Sequence, residues 1–171
     1  MTSIPSEIIH RWMWIRVILT IGIIPYVKTI SQYIDIDYRI VLYFALLILD
    51  LVDSFPPETI HNIPIGIHWE YQMWDKIVDT LSYWYTLACY SNQLDETFKY
   101  ALYYRTIGVI LFLKTRKSIW LILFFDVVKE ILVYRYLFEN NNKYLFVVVI
   151  LGIVFEIFHK SHLTQHDLKI F

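Results

Sequence analysis

Two segments decide how this chain reads: Ile40–Asp53, IVLYFALLILDLVD, and Trp74–Tyr90, WDKIVDTLSYWYTLACY. Each is an apolar run of near membrane-span length, and each carries a pair of aspartates. Asp50 and Asp53 close the first run, and Asp75 and Asp79 open the second. One ionised carboxylate near a bilayer centre costs roughly 2.5–3.5 kcal/mol, so four unpaired ones would cost on the order of 10 if the costs added. Water, a basic partner or a bound cation must offset that.

The rest of the chain supports a membrane setting. Of 171 residues, 57% are hydrophobic, 18% are aromatic and only 4 are Gly. Soluble domains hold about 45–50% apolar residues. The expected fold class is all-α: a polytopic membrane bundle of about six transmembrane helices, with residues 1–171 forming one integral membrane domain. The candidate spans are Trp12–Ile30, Arg39–Phe55, Trp74–Tyr90, Phe98–Leu113, Ser118–Phe138 and Tyr144–Phe158. Each is near or a little under the ~20 residues that cross ~30 Å of hydrocarbon. The net charge of −1 excludes a general basic field for nucleic acid. Cys89 is the single cysteine, so no internal disulfide forms. The first ten residues are too polar for a cleavable signal, so the first span is expected to remain as an anchor.

Most connectors are short and polar. Pro56–Met73 is long and contains Pro56, Pro57, Pro64, His61 and His68. The two adjacent prolines are expected to end the second helix. Part of this connector, Ile63–Trp69, could instead lie flat at the interface, anchored by Trp69 and Tyr71. Six spans put both termini, this connector and Lys114–Lys117 on one side. That side carries Arg11, Arg16, Lys76, Lys114, Arg116, Lys117, Lys160 and Lys169, against Lys28, Arg39, Lys99 and Lys143 opposite. The excess predicts cytoplasmic termini.

Residues three or four apart share a helix face. Asp50 pairs with Asp53 in this way, and Asp75 with Asp79. Helix two descends to the membrane surface from which helix three rises, so both pairs can converge near one side. Converging carboxylates repel unless a cation binds, and oxygen-only ligands suit Mg²⁺, Mn²⁺ or Ca²⁺. Two such ions could clamp a pyrophosphate. The plainer reading is interfacial carboxylates paired with Lys76 and Arg16. The helix dipole favours Asp75 and Asp79 if they sit in a first turn, and disfavours Asp50 and Asp53 at a helix end.

These residues resemble the CDP-alcohol phosphotransferase (CDP-alcohol phosphatidyltransferase) family. Its signature is D-x2-D-G-x2-A-R-x8-G-x3-D-x3-D, across the end of the second membrane helix and the start of the third. Asp50-x2-Asp53 and Asp75-x3-Asp79 match in order and place. More faintly, Arg16 and Pro25 look like the family's first helix, Tyr104-Arg105 is similar to an Arg-Glu site in phosphatidylglycerophosphate synthase-like members, and Lys114–Ser118 looks like a basic loop. The chain departs at Ser54, Pro57, Glu58 and Tyr71, where the pattern has Gly, Ala, Arg and Gly, and the gap between the pairs is four residues longer.

The resemblance implies transfer of a phospho-alcohol or phosphatidyl group from a CDP-linked donor to a hydroxyl acceptor, with loss of CMP, as in phospholipid biosynthesis. It implies two Mg²⁺ or Mn²⁺ ions on Asp50, Asp53, Asp75 and Asp79, with Asp79 also taking the acceptor's proton. Arg105, Arg116 and Lys117 would bind substrate phosphate; as a plain feature, Lys114–Lys117 is a topology-setting loop that meets anionic lipid headgroups. Partners would be membrane lipids, the donor and the acceptor, with no nucleic acid. A homodimer is one state open to such a chain. The rivals are a catalytically inactive relative acting as a membrane structural or interaction protein, and an Asp-rich, Mg²⁺-dependent prenyltransferase-like enzyme. Asp126, Lys129 and Glu130 share a face of the fifth span, where an interhelical polar pair is expected. His159, His162 and His166 read as a solvated tail.

Overall fold

The computed structural model describes residues 6–61, 69–117 and 119–138, with scattered positions between 144 and 154; side chains within 53–61 fall outside the description. The sixth expected span, the histidine tail and the 62–68 connector lie largely or wholly outside the described residues. Of the described residues, 88% are helical and none is in a strand, so the fold is all-α.

The helices are α1 (Ser6–Ile23), α2 (Val27–Ile34), α3 (Tyr38–His61), α4 (Trp69–Tyr90), α5 (Glu96–Thr115), α6 (Ile119–Leu123) and α7 (Val128–Phe138). α1 packs on α3 and α4, α3 on α7, α4 on α5, and α5 on α6 and α7. Each long helix buries one stripe. In α1 it is Ile9, Met13, Arg16 and Thr20, and in α5 it is Phe98, Leu102, Arg105, Val109 and Phe112. This i, i+3, i+4 spacing is the helical period. Charged residues stand within these mostly apolar stripes: Arg16 and Arg105 are each 1% exposed, while Trp14 and Ile18 on the outer face of α1 are 66% and 65% exposed. Large apolar side chains thus lie on the outside as well as in the core. Among the described residues one helical stretch, Glu7–Ile34 running from α1 into α2, is long and apolar enough to cross a membrane.

Three expectations need correction. The first span is not one regular helix, because a 3-10 turn at Ile24–Tyr26 separates α1 from α2. Pro25 has no N–H to give the Ile21 carbonyl. The tyrosines of α4 repair this stretch. Tyr85 lies 3.5 Å from the Ile21 oxygen. The Tyr90 hydroxyl donates to the Ile24 oxygen (2.7 Å) and accepts from the Lys28 N–H (3.3 Å).

Second, Pro56 and Pro57 do not end their helix, since α3 continues to His61. Proline's fixed φ is helical, and the pair stands close enough to the end that few ladder bonds are lost. α4 likewise starts at Trp69, before the expected Trp74. The aspartates therefore occupy helix interiors. Asp75 and Asp79 lie beyond the first turn of α4, and Asp50 lies three turns before the end of α3, so helix dipoles explain neither pair.

Third, the fifth span is broken. α6 ends at Leu123 and α7 begins at Val128. No Gly or Pro marks the break. Side chains satisfy its backbone instead: Arg105 Nη1 donates to the Phe124 oxygen (2.9 Å), and Asp126 Oδ1 accepts the Val128 N–H (3.1 Å). α6 approaches α5 at Gly108, where an added Cβ would lie 2.1 Å from the Phe124 Cβ.

Candidate functional site

α1, α3, α4 and α7 bring their charged residues to one place. Arg16, from the buried stripe of α1, is the hub. Its Nη2 donates to Asp50 Oδ1 (2.5 Å) and to Asp79 Oδ1, and its Nη1 donates to Asp75 Oδ1 (3.2 Å). Lys76 Nζ donates to Asp75 Oδ2 (2.5 Å) and Asp79 Oδ2 (3.2 Å). Lys129 Nζ, from α7, donates to Asp50 Oδ2. Each oxygen of these three carboxylates thus accepts from a cation, and among the described side chains of the cluster three carboxylates face three cations.

The spacing on α4 explains part of this. Asp75 and Asp79, four apart, present one face, and Lys76, three before Asp79, closes across both. Thr20 and Ser82 continue the polar seam between α1 and α4, with their hydroxyls 3.5 Å apart. Each also turns back on its own helix, to the Arg16 and Val78 carbonyls, so the seam leaves no hydroxyl hydrogen-bond need unmet there. His10 of α1 and Glu70 of α4 pair nearby at 3.1 Å.

Asp50, Asp75 and Asp79 therefore meet at Arg16, and their contacts with Arg16 and Lys76 are the ion pairs of the plainer reading. Asp53 lies on α3 three residues past Asp50, and its side chain is outside the description. Arg105 anchors the α6–α7 break, with Nε 3.9 Å from Asp126 Oδ2. Arg116 and Lys117 are exposed at the end of α5. Arg116 caps that helix in the left-handed region (φ 57°), and its guanidinium lies 5.6 Å from the Trp69 ring centroid. Those contacts set the bend after α5 and dock it on α4. Tyr71, at a motif glycine position, is buried against Ile9, Met13 and Val78.

Sequence reasoning placed Lys129 in an interhelical pair without its partner. The partner is Asp50. The signal was a lysine in an apolar run, three residues after Asp126. Tyr83 was missed altogether; its hydroxyl donates to Asp126 Oδ2 (2.9 Å), which ties α4 to the break.

Oxygen-only donors are the kind that a hard divalent cation takes, but among the described residues no group of three or more acidic, His or Cys side chains is spaced to hold a metal ion. Each oxygen of Asp50, Asp75 and Asp79 is held by Arg16, Lys76 or Lys129, so a metal would have to displace these cations. No family model, curated protein or solved structure matches this chain.

Proposed function

We propose that this protein is a multi-pass membrane phosphotransferase of the CDP-alcohol type, dependent on Mg²⁺ or Mn²⁺. One observation carries the reading. Asp50, Asp75 and Asp79, separated by up to 29 positions and set on two helices, meet around one buried arginine. They are three of the four positions on which the family resemblance rests. Exposed Ile, Trp and Tyr around the bundle support the membrane setting. The charge bias favours a cytoplasmic site and cytoplasmic termini.

In this reading Asp50, Asp75 and Asp79, with Asp53, would hold the metal, which would supply positive charge to the transferred phosphate. Asp79, the least exposed of the three, accepts the proton of the acceptor hydroxyl. The oxygen attacks the phosphorus of a CDP-linked donor and CMP departs with the bonding electrons. Arg16 keeps the carboxylates in register across α1, α3 and α4. The low-dielectric surroundings strengthen each of these contacts.

CMP release by the purified full-length protein in lipid, across a panel of CDP-linked donors, tests this. Metal-dependent release is expected, and Asp79→Asn should lower it by about two orders of magnitude or more, the range for loss of a general base. No release from any donor would remove the enzyme reading.

A second reading has its own observation. The three carboxylates are already neutralised by the chain's own cations, while Pro57, Glu58 and Tyr71 replace motif residues. That combination suits a non-catalytic relative whose network serves as an interhelical lock. In that case Asp79→Asn changes melting but no CMP appears with any metal.

A further inference from the structure

The outer charges of the bundle are distributed unevenly between its two ends. Where α2 meets α3 and α4 meets α5, cations are matched by acids. Arg39 pairs with Asp37, Lys99 with Glu96 and Arg135 with Asp95. Lys28 and Asp35, both exposed, have no ion pair among the described residues, and they offset one another in charge.

The opposite end differs. Lys114, Arg116 and Lys117 are all exposed at the end of α5, and none has an acidic partner among the described residues. Arg11, exposed on α1, stands at the same end and is also unpaired there. Glu70 is taken by His10, so among the described side chains Glu7 is the one exposed acid left to face these cations. The helix dipole accounts for Lys114, in the last turn of α5, but not for Lys117 beyond it. Like charges this close in sequence repel, and an anion from outside the chain relieves that repulsion.

The bend is also built from tryptophan. The Arg116 guanidinium lies 5.6 Å from the Trp69 ring centroid, and that ring lies 4.8 Å from the Phe112 ring. Trp120, three residues past Lys117, packs in the same apolar cluster. Tryptophan rings favour the headgroup level of a bilayer, and lysines at that level attract anionic lipids. Arg116 is committed to Trp69 and to the turn, which leaves the Lys114 and Lys117 ammoniums to act outward.

We propose that the α5–α6 bend is a docking surface for the headgroups of anionic membrane lipids, gripped by Lys114 and Lys117 over the Trp69–Arg116 stack. This rests on the membrane setting of the reading above and is independent of its chemistry.

The test uses the full-length protein in phosphatidylcholine vesicles that contain a trace of chain-labelled spin lipid, either phosphatidylglycerol or phosphatidylcholine. Electron paramagnetic resonance reads the fraction of label held at the protein. Phosphatidylglycerol should associate about fivefold more strongly, the worth of one basic residue at a charged surface, and the preference should vanish near 1 M salt, where screening acts within about 3 Å. Lys114→Gln with Lys117→Gln should lose most of the preference, the paired Arg substitutions should keep it, and Lys28→Gln at the far end should leave it intact. Equal association of the two labels with the parent overturns the proposal. So does a preference that survives the double Gln substitution in a protein with unchanged melting, or one that Lys28→Gln removes. Release of the label by millimolar glycerol phosphate overturns it in favour of a soluble phosphate ligand. Flotation separates the two failures: a protein that washes off the vesicles at alkaline pH sinks the membrane setting as well, whereas an integrated protein without lipid preference sinks the docking surface alone.

Discussion

The two ends of the bundle use the same chemistry for different ends. At one end Arg16, Lys76 and Lys129 meet Asp50, Asp75 and Asp79. At the other, Arg39 pairs with Asp37 (2.8 Å) and Arg135 pairs with Asp95. The far-end carboxylates work on backbone. Asp37 Oδ1 accepts the Arg39 N–H (2.8 Å) at the start of α3, and Asp95 Oδ1 accepts the Phe98 N–H (3.0 Å) as the N-cap of α5. Arg39 Nη1 then donates to the Arg135 carbonyl (2.8 Å), joining the start of α3 to α7 around a cavity of about 120 Å³. Each far-end acid caps the start of a helix. The acids at the site lie inside helices that need no cap there, and the hydrogen bonds to their oxygens come from cations. Carboxylates without a backbone task, brought together from separate helices, are the ones to suspect of a ligand.

The sharpest way to break this comparison is Arg16→Met. It strips the hub from three carboxylates in a nearly water-free position, and unfolding in detergent should show a loss of about 3–5 kcal/mol, the cost of breaking a buried pair. A loss below 1 kcal/mol would mean that the network holds nothing together. Next comes Gly108→Ala. The added methyl meets Phe124, so α6 must shift or strain at a cost of about 1–3 kcal/mol. Because the break after α6 delivers Lys129, cross-linking between cysteines placed on α3 and α7 should slow in this variant.

Smaller effects belong to the far end. Asp37→Ala removes a partly exposed cap and should cost about 1 kcal/mol by thermal unfolding, with no change in Mn²⁺ binding. A change in metal binding there would erase the distinction between the ends. The smallest effect is on pH dependence. Hydrogen bonding from the Arg39 side chain holds the Asp37 carboxyl below its ordinary value. A lowered folded-state value means that this contribution is complete above the ordinary carboxylate range and is lost as pH falls through the lowered value. Acid should therefore destabilise the parent slightly more than Asp37→Asn, and equal acid slopes would show that the pair adds nothing.

Periodicity and composition made the helices legible, because a buried stripe every three or four residues leaves a pattern even where an arginine stands in it. Helix limits were harder to read. Pro56 and Pro57 look like a stop, yet the helix absorbs them near its end. The α6–α7 break carries no Gly or Pro, because Arg105 and Asp126, distant in sequence or facing an apolar run, satisfy its backbone. The pairing of Asp50 with Lys129 was equally hidden, since 79 positions separate them.

By itself the sequence determined that the chain is helical, too apolar for an ordinary soluble surface, and marked by two aspartate pairs at helical spacing. Those properties are local: each follows from side-chain type and from neighbours within a turn or two. Only the tertiary structure decided that Arg16 stands among three of those aspartates, that Lys129 pairs with Asp50 and that the acids lie within helices. Charge compensation inside a low-dielectric bundle depends on which helices pack together, and no stretch of sequence a few turns long contains that information.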